Sequence, residues 1–443
     1  MTNANSPNAV RETAADLLKE IAKERESLIK AGKIKKSKPL PEITEDEIPY
    51  EIPENWEWVR LGDIICLTSG QHIEPTDCNL DGKGMPYLTG PSDFGEKYAI
   101  ISKWTEFPKV TVEKQSILIT VKGSGVGKTN ILPENASIGR QLMAISSILF
   151  SDDYLLYFLK YYQISVSNLK KGAAIPGISR EDILELTFPL PPLSEQKEIV
   201  ALLDDVFSRI DKARENIGKS IENADELYQS KVDSIFYVFA DKSASKKLKD
   251  ICIIRPPKRD IIGKLSPDTV VSFAPMEDLG INQKYLQPTK EKHLSEVSGS
   301  YTYFSDNDVL LAKVTPCFEN GKVGIARDLM NSVGFGSSEY IVYRPKEGLL
   351  SEYLYYFLNR ASVRKIGEGS MDGSVGLKRI QKIFYEDIEI PLPPLSKQQE
   401  IVAELDALEK QRSTLIELYT TKLRALDELK QSLLEKAFRG ELT

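Results

Sequence analysis

Pro189-Leu-Pro-Pro-Leu-Ser-Glu-Gln-Lys-Glu-Ile-Val-Ala-Leu-Leu-Asp204 returns 202 residues later as Pro391-Leu-Pro-Pro-Leu-Ser-Lys-Gln-Gln-Glu-Ile-Val-Ala-Glu-Leu-Asp406. Thirteen of the sixteen positions are identical without a gap, which chance does not supply. The same offset persists to Glu226-Leu-Tyr-Gln-Ser230 and Glu428-Leu-Lys-Gln-Ser432. Upstream, Tyr154-Leu-Leu-Tyr-Phe-Leu159 matches Tyr353-Leu-Tyr-Tyr-Phe-Leu358 at an offset of 199, and Leu61-Gly-Asp-Ile64 resembles Leu248-Lys-Asp-Ile251 more weakly. The chain is therefore a tandem duplication whose two units share a frame and differ in their middles.

Downstream of the quoted stretch each unit predicts a long helix. The proline pairs 191–192 and 393–394 end the preceding strand, because proline neither donates to a ladder nor continues a helix. Ser194 and Ser396 then suit the N-cap, and Gln399 completes a capping box in the second copy, where the first has Lys197. Apolar residues recur with a period of about 3.5 residues, the mark of a coiled-coil seam. The seam runs through Ile199, Leu203, Val206, Ile210, Ala213, Ile217, Ala224 and Leu227 in the first helix. In the second it runs through Ile401, Leu405, Leu408, Leu415, Tyr419, Leu426, Leu429 and Leu433. Ser220, Arg412 and Lys422 interrupt it; these side chains either fix register or snorkel, and snorkelling is the simpler reading. Matched helices of roughly 40–45 residues, about 60–65 Å long, are natural partners for each other.

Before each helix lie short β-like runs broken by Gly, Pro, Asn and Asp, such as Ser116-Ile-Leu-Ile-Thr-Val121 and Asp308-Val-Leu-Leu-Ala-Lys-Val314. With helices expected at 153–162 and 352–360, this predicts an α+β chain of two similar mixed α/β domains separated by two long antiparallel helices. The expected segments are an N-terminal helix and linker at 1–55, a first domain at 56–190, a central helix at 191–245, a second domain at 246–391 and a C-terminal helix at 392–443. The N-terminal helix, Thr13–Lys30, carries Leu17, Leu18, Ile21, Leu28 and Ile29 on one broad face, suited to docking on the scaffold or on another subunit.

The 443 residues are 41% hydrophobic and 28% charged, ordinary for a globular protein. No run suits a membrane crossing. The N-terminus lacks the order of a secretion signal, and Cys66, Cys78, Cys252 and Cys317 form no CxxC pair, so a reduced cytoplasmic protein with no metal site is expected. A net charge of −7 is unlike the usual footprint of a nucleic-acid binder, yet phosphate contacts are local. Cations cluster at 33–38, at 170–171 and at 255–259.

No catalytic constellation is visible. Gly123-Ser-Gly-Val-Gly-Lys-Thr129 lacks the glycine five residues before Gly127 and the following helix that a phosphate-cradling loop needs. It suits DNA-backbone or base-edge contact, or a plain hairpin loop. Lys313–Lys322 occupies the same place in the second unit, where Cys317 suits packing under the loop. Pro-Leu-Pro-Pro-Leu lacks the polar first residue of an adenine-methyltransferase motif, Pro267-Asp268 has no nuclease partner motif, and neither His72 nor His293 sits in a metal or triad pattern. Candidate DNA contacts in the first unit are Gln71, His72, Lys122, Ser124, Lys128, Thr129, Arg140, Lys170 and Lys171. Those in the second are Arg255, Lys258 and Arg259, then Lys313, Thr315 and Lys322, then Lys378 and Arg379. A tandem scaffold that binds proteins and no DNA is the competing class.

The twin Pro-Leu-Pro-Pro-Leu-Ser-x-Gln-x-Glu-Ile-Val segments resemble the specificity (S) subunits of Type I restriction–modification enzymes. So do the opening Ile52-Pro-Glu-Asn-Trp-Glu-Trp-Val-Arg-Leu-Gly-Asp63 and the ending Lys436-Ala-Phe-Arg-Gly-Glu-Leu-Thr443. The resemblance implies two target recognition domains, each reading half of an asymmetric bipartite DNA site, held apart by antiparallel helices. It implies a non-catalytic chain with no cofactor of its own. Its partners would be double-stranded DNA, two modification (M) subunits that use S-adenosylmethionine to methylate adenine, and restriction (R) subunits that use ATP and Mg. The first helix ends Ser234-Ile-Phe-Tyr-Val-Phe-Ala-Asp241 without the Arg-Gly-Glu-Leu of the second, so different docking is expected there.

Overall fold

The computed structural model describes residues 13–36, 38–123, 125–169, 177–240, 244–374 and 376–442. It divides into two units, Met1–Glu215 with Lys422–Thr443, and Asn216–Thr421. The helices that matter are α1 (Ala14–Lys30), α2 (Asp152–Leu169), α3 (Leu193–Ala240), α4 (Ser351–Leu358), α5 (Ala361–Glu368) and α6 (Leu395–Phe438). Because α3 and α6 each run from one unit into the other, each unit holds the beginning of one long helix and the end of the other. At 48 and 44 residues they are near the expected length, with α3 slightly longer. No helix among the described residues is long and apolar enough to cross a membrane.

The first unit opens on an antiparallel ribbon, Glu57–Arg60 against Thr187–Leu190. A one-turn helix, Leu61–Ile64, leads into a four-stranded antiparallel sheet built from Ile65–Ser69, Leu142–Ser147, Ile117–Thr120 and Thr129–Ile131, in that spatial order. The second unit repeats the pattern. Ser245–Lys247 pairs with Glu389–Pro391, the one-turn helix is Leu248–Ile251, and the sheet order is Cys252–Ile254, Tyr340–Pro345, Val309–Ala312, Val323–Ile325. The faint Leu-x-Asp-Ile match thus marks equivalent helical turns.

These sheets are covered on both faces, which explains their continuous apolar runs. Ile117 and Ile119 join the core beneath the helices, while Leu118 joins a separate core beneath a second sheet. Val309 and Leu311 divide from Leu310 and Ala312 in the same way. The second sheet has a parallel pair in both units, Met85–Leu88 beside Ser137–Ile138 and Val270–Ala274 beside Val333–Gly336. Its edges differ. The first unit adds Cys78–Asn79 outside Trp104–Thr105, whereas the second adds Thr302–Ser305 at the opposite edge.

Three pairs of contacts lock each helix start to its own unit. Gln196 and Gln398, both fully buried, accept from the Ser151 and Leu350 N–H groups at 2.9 Å and donate to the Pro191 and Pro393 carbonyls at 2.8 Å. Tyr154 and Tyr353 donate to the Pro189 and Pro391 carbonyls, and Tyr157 and Tyr356 donate to Asp204 and Asp406. The expected serine caps are corrected. Leu193 and Leu395 are already helical, and the first helix-type bonds run to the Pro192 and Pro394 carbonyls. Ser194 and Ser396 therefore stand inside the first turn, two residues beyond the cap positions that Pro192 and Pro394 occupy.

Within each unit the long helices run antiparallel. In the first, Lys430 pairs with Asp211 and Arg214 with Asp427. In the second, Arg412 pairs with Asp225 while Glu409 accepts from Tyr228. Arg412 does not snorkel. Its side chain is 10% exposed, forks onto Glu409 and lies 5.0 Å over the Tyr228 ring, so it acts as a register pin.

The seam also needs correction. Ile199, Leu203, Ile210, Ile401 and Leu405 are buried, and Val206, Ile217, Leu408 and Leu426 are half-buried. Leu227, Leu415 and Leu429 are exposed; the buried positions further along are Tyr228, Val232 and Phe236 on α3, with Leu434, Ala437 and Phe438 on α6. A helix with 3.6 residues per turn drifts about 20° per heptad from a strict seven-residue repeat. Four heptads after Ile199 that drift is about 80°, enough to turn Leu227 outward and bring Tyr228 in.

The two helix ends dock alike, contrary to expectation. Phe438 packs on Tyr154 and Phe158 of α2, and Phe236 packs on Tyr353 and Phe357 of α4, with ring centroids 5.1–5.7 Å apart. Burying each ring stabilises its unit by about 1.5–3 kcal/mol. The Arg439–Leu442 tail adds a stop rather than a different dock. Gly440, with φ +71°, lets the Glu441 N–H reach the Lys436 carbonyl and its own N–H reach that of Ala437. Helix α1, capped by Thr13, lays Leu17 and Ile21 into the first unit's core with Leu18 and Leu28 beside them, and Arg25 pairs with Asp63.

Candidate nucleic-acid interface

In the first unit the chain leaves Ile65–Ser69 through Gly70 and crosses the exit of Ser137–Ile138 at Gly139. The crossing is so close that a Cβ on Gly70 would lie 2.1 Å from the Gly139 carbonyl oxygen, so glycine is required. The Gln71 N–H then bonds the Ile138 carbonyl at 2.9 Å. Gln71 and His72 are thereby set against Arg140 and Gln141, all four exposed. His72, Arg140 and Gln141, with Lys103, Asn79 and Thr89, line an open concavity of about 560 Å³. His72 is not buried for chemistry: its ring stands 3.6 Å from Glu74, and its carbonyl accepts from Lys109.

The glycine loop adjoins this concavity. The Val121 N–H bonds the Gln141 carbonyl at 2.8 Å, which places Lys122 next to it, exposed. Lys128 is exposed across the loop, and Thr129 is half-buried at the start of its strand. The loop joins two antiparallel strands and leads into no helix, as a hairpin does. Ser124, Lys170 and Lys171 lie outside the described residues.

The second unit sets Lys313 and Arg379 on one carboxylate, Glu339, with Thr315 and Lys378 beside them in the chain. Arg379 forks onto Glu339 through Nε and Nη2 at 2.9 Å each, and the Lys313 ammonium stands 3.6 Å from the same carboxylate while bonding the Ser338 carbonyl. The Thr315 N–H bonds the Lys378 carbonyl at 2.9 Å. The Arg379 hydrogen bonds hold the Glu339 carboxyl below its usual range, and burial holds the Lys313 ammonium below its own, against the pull of Glu339 and with help from Arg255. Arg255 adopts φ +54°, donates its N–H to Val342, and faces the Tyr385 ring at 5.5 Å. Two expected cations are spent elsewhere: Lys258 holds the Ser298 and Gly299 carbonyls, and Lys322 holds that of Met276. Arg259 is exposed on the same loop as Lys258. Burial pushes the Cys252 thiol up to about 12, which leaves it inert, and Cys317 packs beside the core that includes Tyr340.

Gln141, Lys103 and Glu339 were not legible as site residues. In both units three residues link the parallel strand to the next one, and the third is Gln141 or Glu339. The Lys313 N–H bonds the Glu339 carbonyl as Val121 bonds that of Gln141, so the two positions are equivalent. The surrounding sequences share nothing that would align them.

The family model described as the Type I restriction modification DNA specificity domain matches residues 53–223 and again 241–423. The chain belongs to that family. It carries two copies of the DNA specificity domain, one in each repeat. It is similar to the Type I restriction enzyme EcoAI specificity subunit of Escherichia coli, 34% identical over 165 residues, or 37% of this chain and 28% of that protein. The MjaVIII specificity subunit of Methanocaldococcus jannaschii is 23% identical over 416 residues, covering 88% of this chain and 94% of the relative. Stretches at 34–36% identity span only 28–41% of the relatives that contain them. A structure described as the basis of complex assembly and conformational transition of the type I R-M system covers 89% of this chain and 100% of its own, with a TM-score of 0.68. The HsdS subunit from Thermoanaerobacter tengcongensis follows with a TM-score of 0.51. At 21% and 20% identity these two likenesses are of fold.

Proposed function

We propose that this chain is the DNA-reading, non-catalytic specificity subunit of a Type I restriction–modification complex, each unit addressing one half of a bipartite, asymmetric site. The observation that carries this reading is one frame used twice with unlike side chains at its exposed edge. Gln196, Tyr154 and Tyr157 have identical counterparts in Gln398, Tyr353 and Tyr356. Yet the equivalent positions Gln141 and Glu339 present different chemistry at the candidate interface, an exposed amide in one unit and a carboxylate that holds Arg379 in the other, and base edges distinguish an amide from a guanidinium. Two different readers on one frame suit two different half-sites.

In this reading the partners are double-stranded DNA, two modification subunits carrying S-adenosylmethionine and restriction subunits using ATP and Mg; the chain itself binds no cofactor. Coexpression with the modification subunit in a methylation-free host, followed by single-molecule methylation sequencing, tests it. One asymmetric bipartite motif is expected, absent when either gene is omitted. The same motif without this chain, or no motif with it, would favour a scaffold that reads no DNA.

A further inference from the structure

Met371–Ser374 and Leu377–Ile380 form a two-stranded antiparallel ribbon belonging to neither four-stranded sheet. Its residues do not alternate between buried and exposed. Asp372, Gly373 and Ser374 on one strand, and Leu377, Lys378 and Arg379 on the other, are all exposed. Beyond Met371 and Ile380, which join the second unit's core, the ribbon has both faces in solvent, and a two-stranded ribbon is one of the shapes the major groove of B-DNA admits. Only its base is tied down, by the Thr315 N–H to the Lys378 carbonyl and the Ile380 N–H to the Lys313 carbonyl.

At that base Arg379 is held unlike an ordinary surface cation. Glu339 takes its Nε and Nη2 side-on, and Glu339 is steadied from behind by Lys313. The side-on fork uses two of the five guanidinium donors and fixes the plane of the group, leaving the outer edge of Nη1 and Nη2 for a further acceptor. A carboxylate partner partly neutralises the charge, which weakens attraction to phosphate. The planar geometry that pairs with a base edge is kept. The O6 and N7 acceptors of guanine match that outer edge.

We propose that Arg379 reads a guanine in the major groove of the half-site addressed by the second unit, with Glu339 as its positioning residue. This rests on the specificity-subunit reading above. The ribbon enters the groove, Arg379 pairs with guanine O6 and N7, and its neighbour Lys378, on the opposite face of the strand, meets the backbone.

The test uses this chain assembled with its modification subunit, comparing wild type, Arg379→Ala, Glu339→Gln and Lys378→Ala by methylation sequencing. Arg379→Ala should relax one G·C pair in one half-site by roughly 5- to 150-fold in discrimination, leaving the other half-site and the gap unchanged. Glu339→Gln should relax the same pair less, and Lys378→Ala should lower methylation evenly over all sites. Binding supplies a readout that survives a poorly folding variant: replacing that guanine by 7-deazaguanine, which lacks N7, should weaken the wild-type complex and leave Arg379→Ala unaffected. An unchanged motif in Arg379→Ala, a different base relaxed in Glu339→Gln, or indifference of wild type to the deaza base overturns the proposal. No bipartite motif in wild type would instead overturn the reading on which it rests.

Discussion

Gln196 and Gln398 show how one buried amide joins a helix to the domain before it. Each satisfies an N–H at the start of α2 or α4 and a proline carbonyl just ahead of its own helix, with no exposure to water. Truncation to alanine leaves a buried proline carbonyl and a half-buried N–H unpaired, a loss of about 1–3 kcal/mol for each fully buried unmet group. Gln196→Ala or Gln398→Ala should therefore lower the unfolding midpoint by several degrees, at about 2–4 °C per kcal/mol for bodies of this size. Calorimetry that finds either variant as stable as wild type would remove the glutamines from the frame. A second residue-scale device is sensitive to pH. Arg60 holds the Pro41, Glu42 and Glu185 carbonyls and the Glu47 carboxylate. That guanidinium, then the Thr44 N–H and hydroxyl, hold the Glu47 carboxyl down to about 2 from an ordinary 4.5. A carboxyl depressed in the fold stabilises it fully above the unfolded value and ceases to do so as pH falls through the folded one. Proteolysis of the 41–48 arm should distinguish wild type from Glu47→Gln at pH 7, and the difference should shrink below about pH 4.5. A difference that widens on acidification would show the arm to be held by something else.

Among the elements, the long helices were legible in existence, extent and partnership, because thirteen matched positions and a repeating apolar stripe are strong local signals. Their contact face was legible only near the anchors. Ile199 and Ile401 lie where the repeat places them, but a 3.5-residue period fitted to straight helices accumulates error, and Leu227 and Leu429 fall outside. The edge of the second sheet was less legible still. Gln141 and Glu339 are equated by their carbonyls, which accept from the Val121 and Lys313 N–H groups, a relation that side-chain identity does not encode. The phase correction has a direct test. Leu227→Glu should change the stability of the chain alone by no more than about 0.5 kcal/mol. Phe236→Ala, which removes the ring that packs on Tyr353 and Phe357, should cost about 3–5 kcal/mol. Comparable losses from the two would restore the seven-residue seam.

At the scale of the whole molecule, what matters is that α3 and α6 each belong to both units and run antiparallel within each. If the helices set the spacing between half-sites, the measuring length lies between the grips that hold each unit. Phe236 grips α4 and Phe438 grips α2. Extra residues after Phe239 would fall beyond the grip and lengthen only a connection. Extra residues in one helix would slide the Arg412–Asp225 and Lys430–Asp211 pairs out of register. The effective change is seven residues in each helix, after Glu215 in α3 and after Thr421 in α6. Seven residues turn a helix about 20° short of two full turns, so the contact face is nearly kept, and they add about 10.5 Å. That length is close to three base-pair steps of about 3.4 Å. On the specificity-subunit reading proposed above, the doubly extended chain coexpressed with a modification subunit should direct methylation to the same two half-sites separated by about three more base pairs, at reduced rate because the half-sites also rotate around the duplex. A methylome with the original gap, or with altered half-sites, would show that the helices do not measure the DNA.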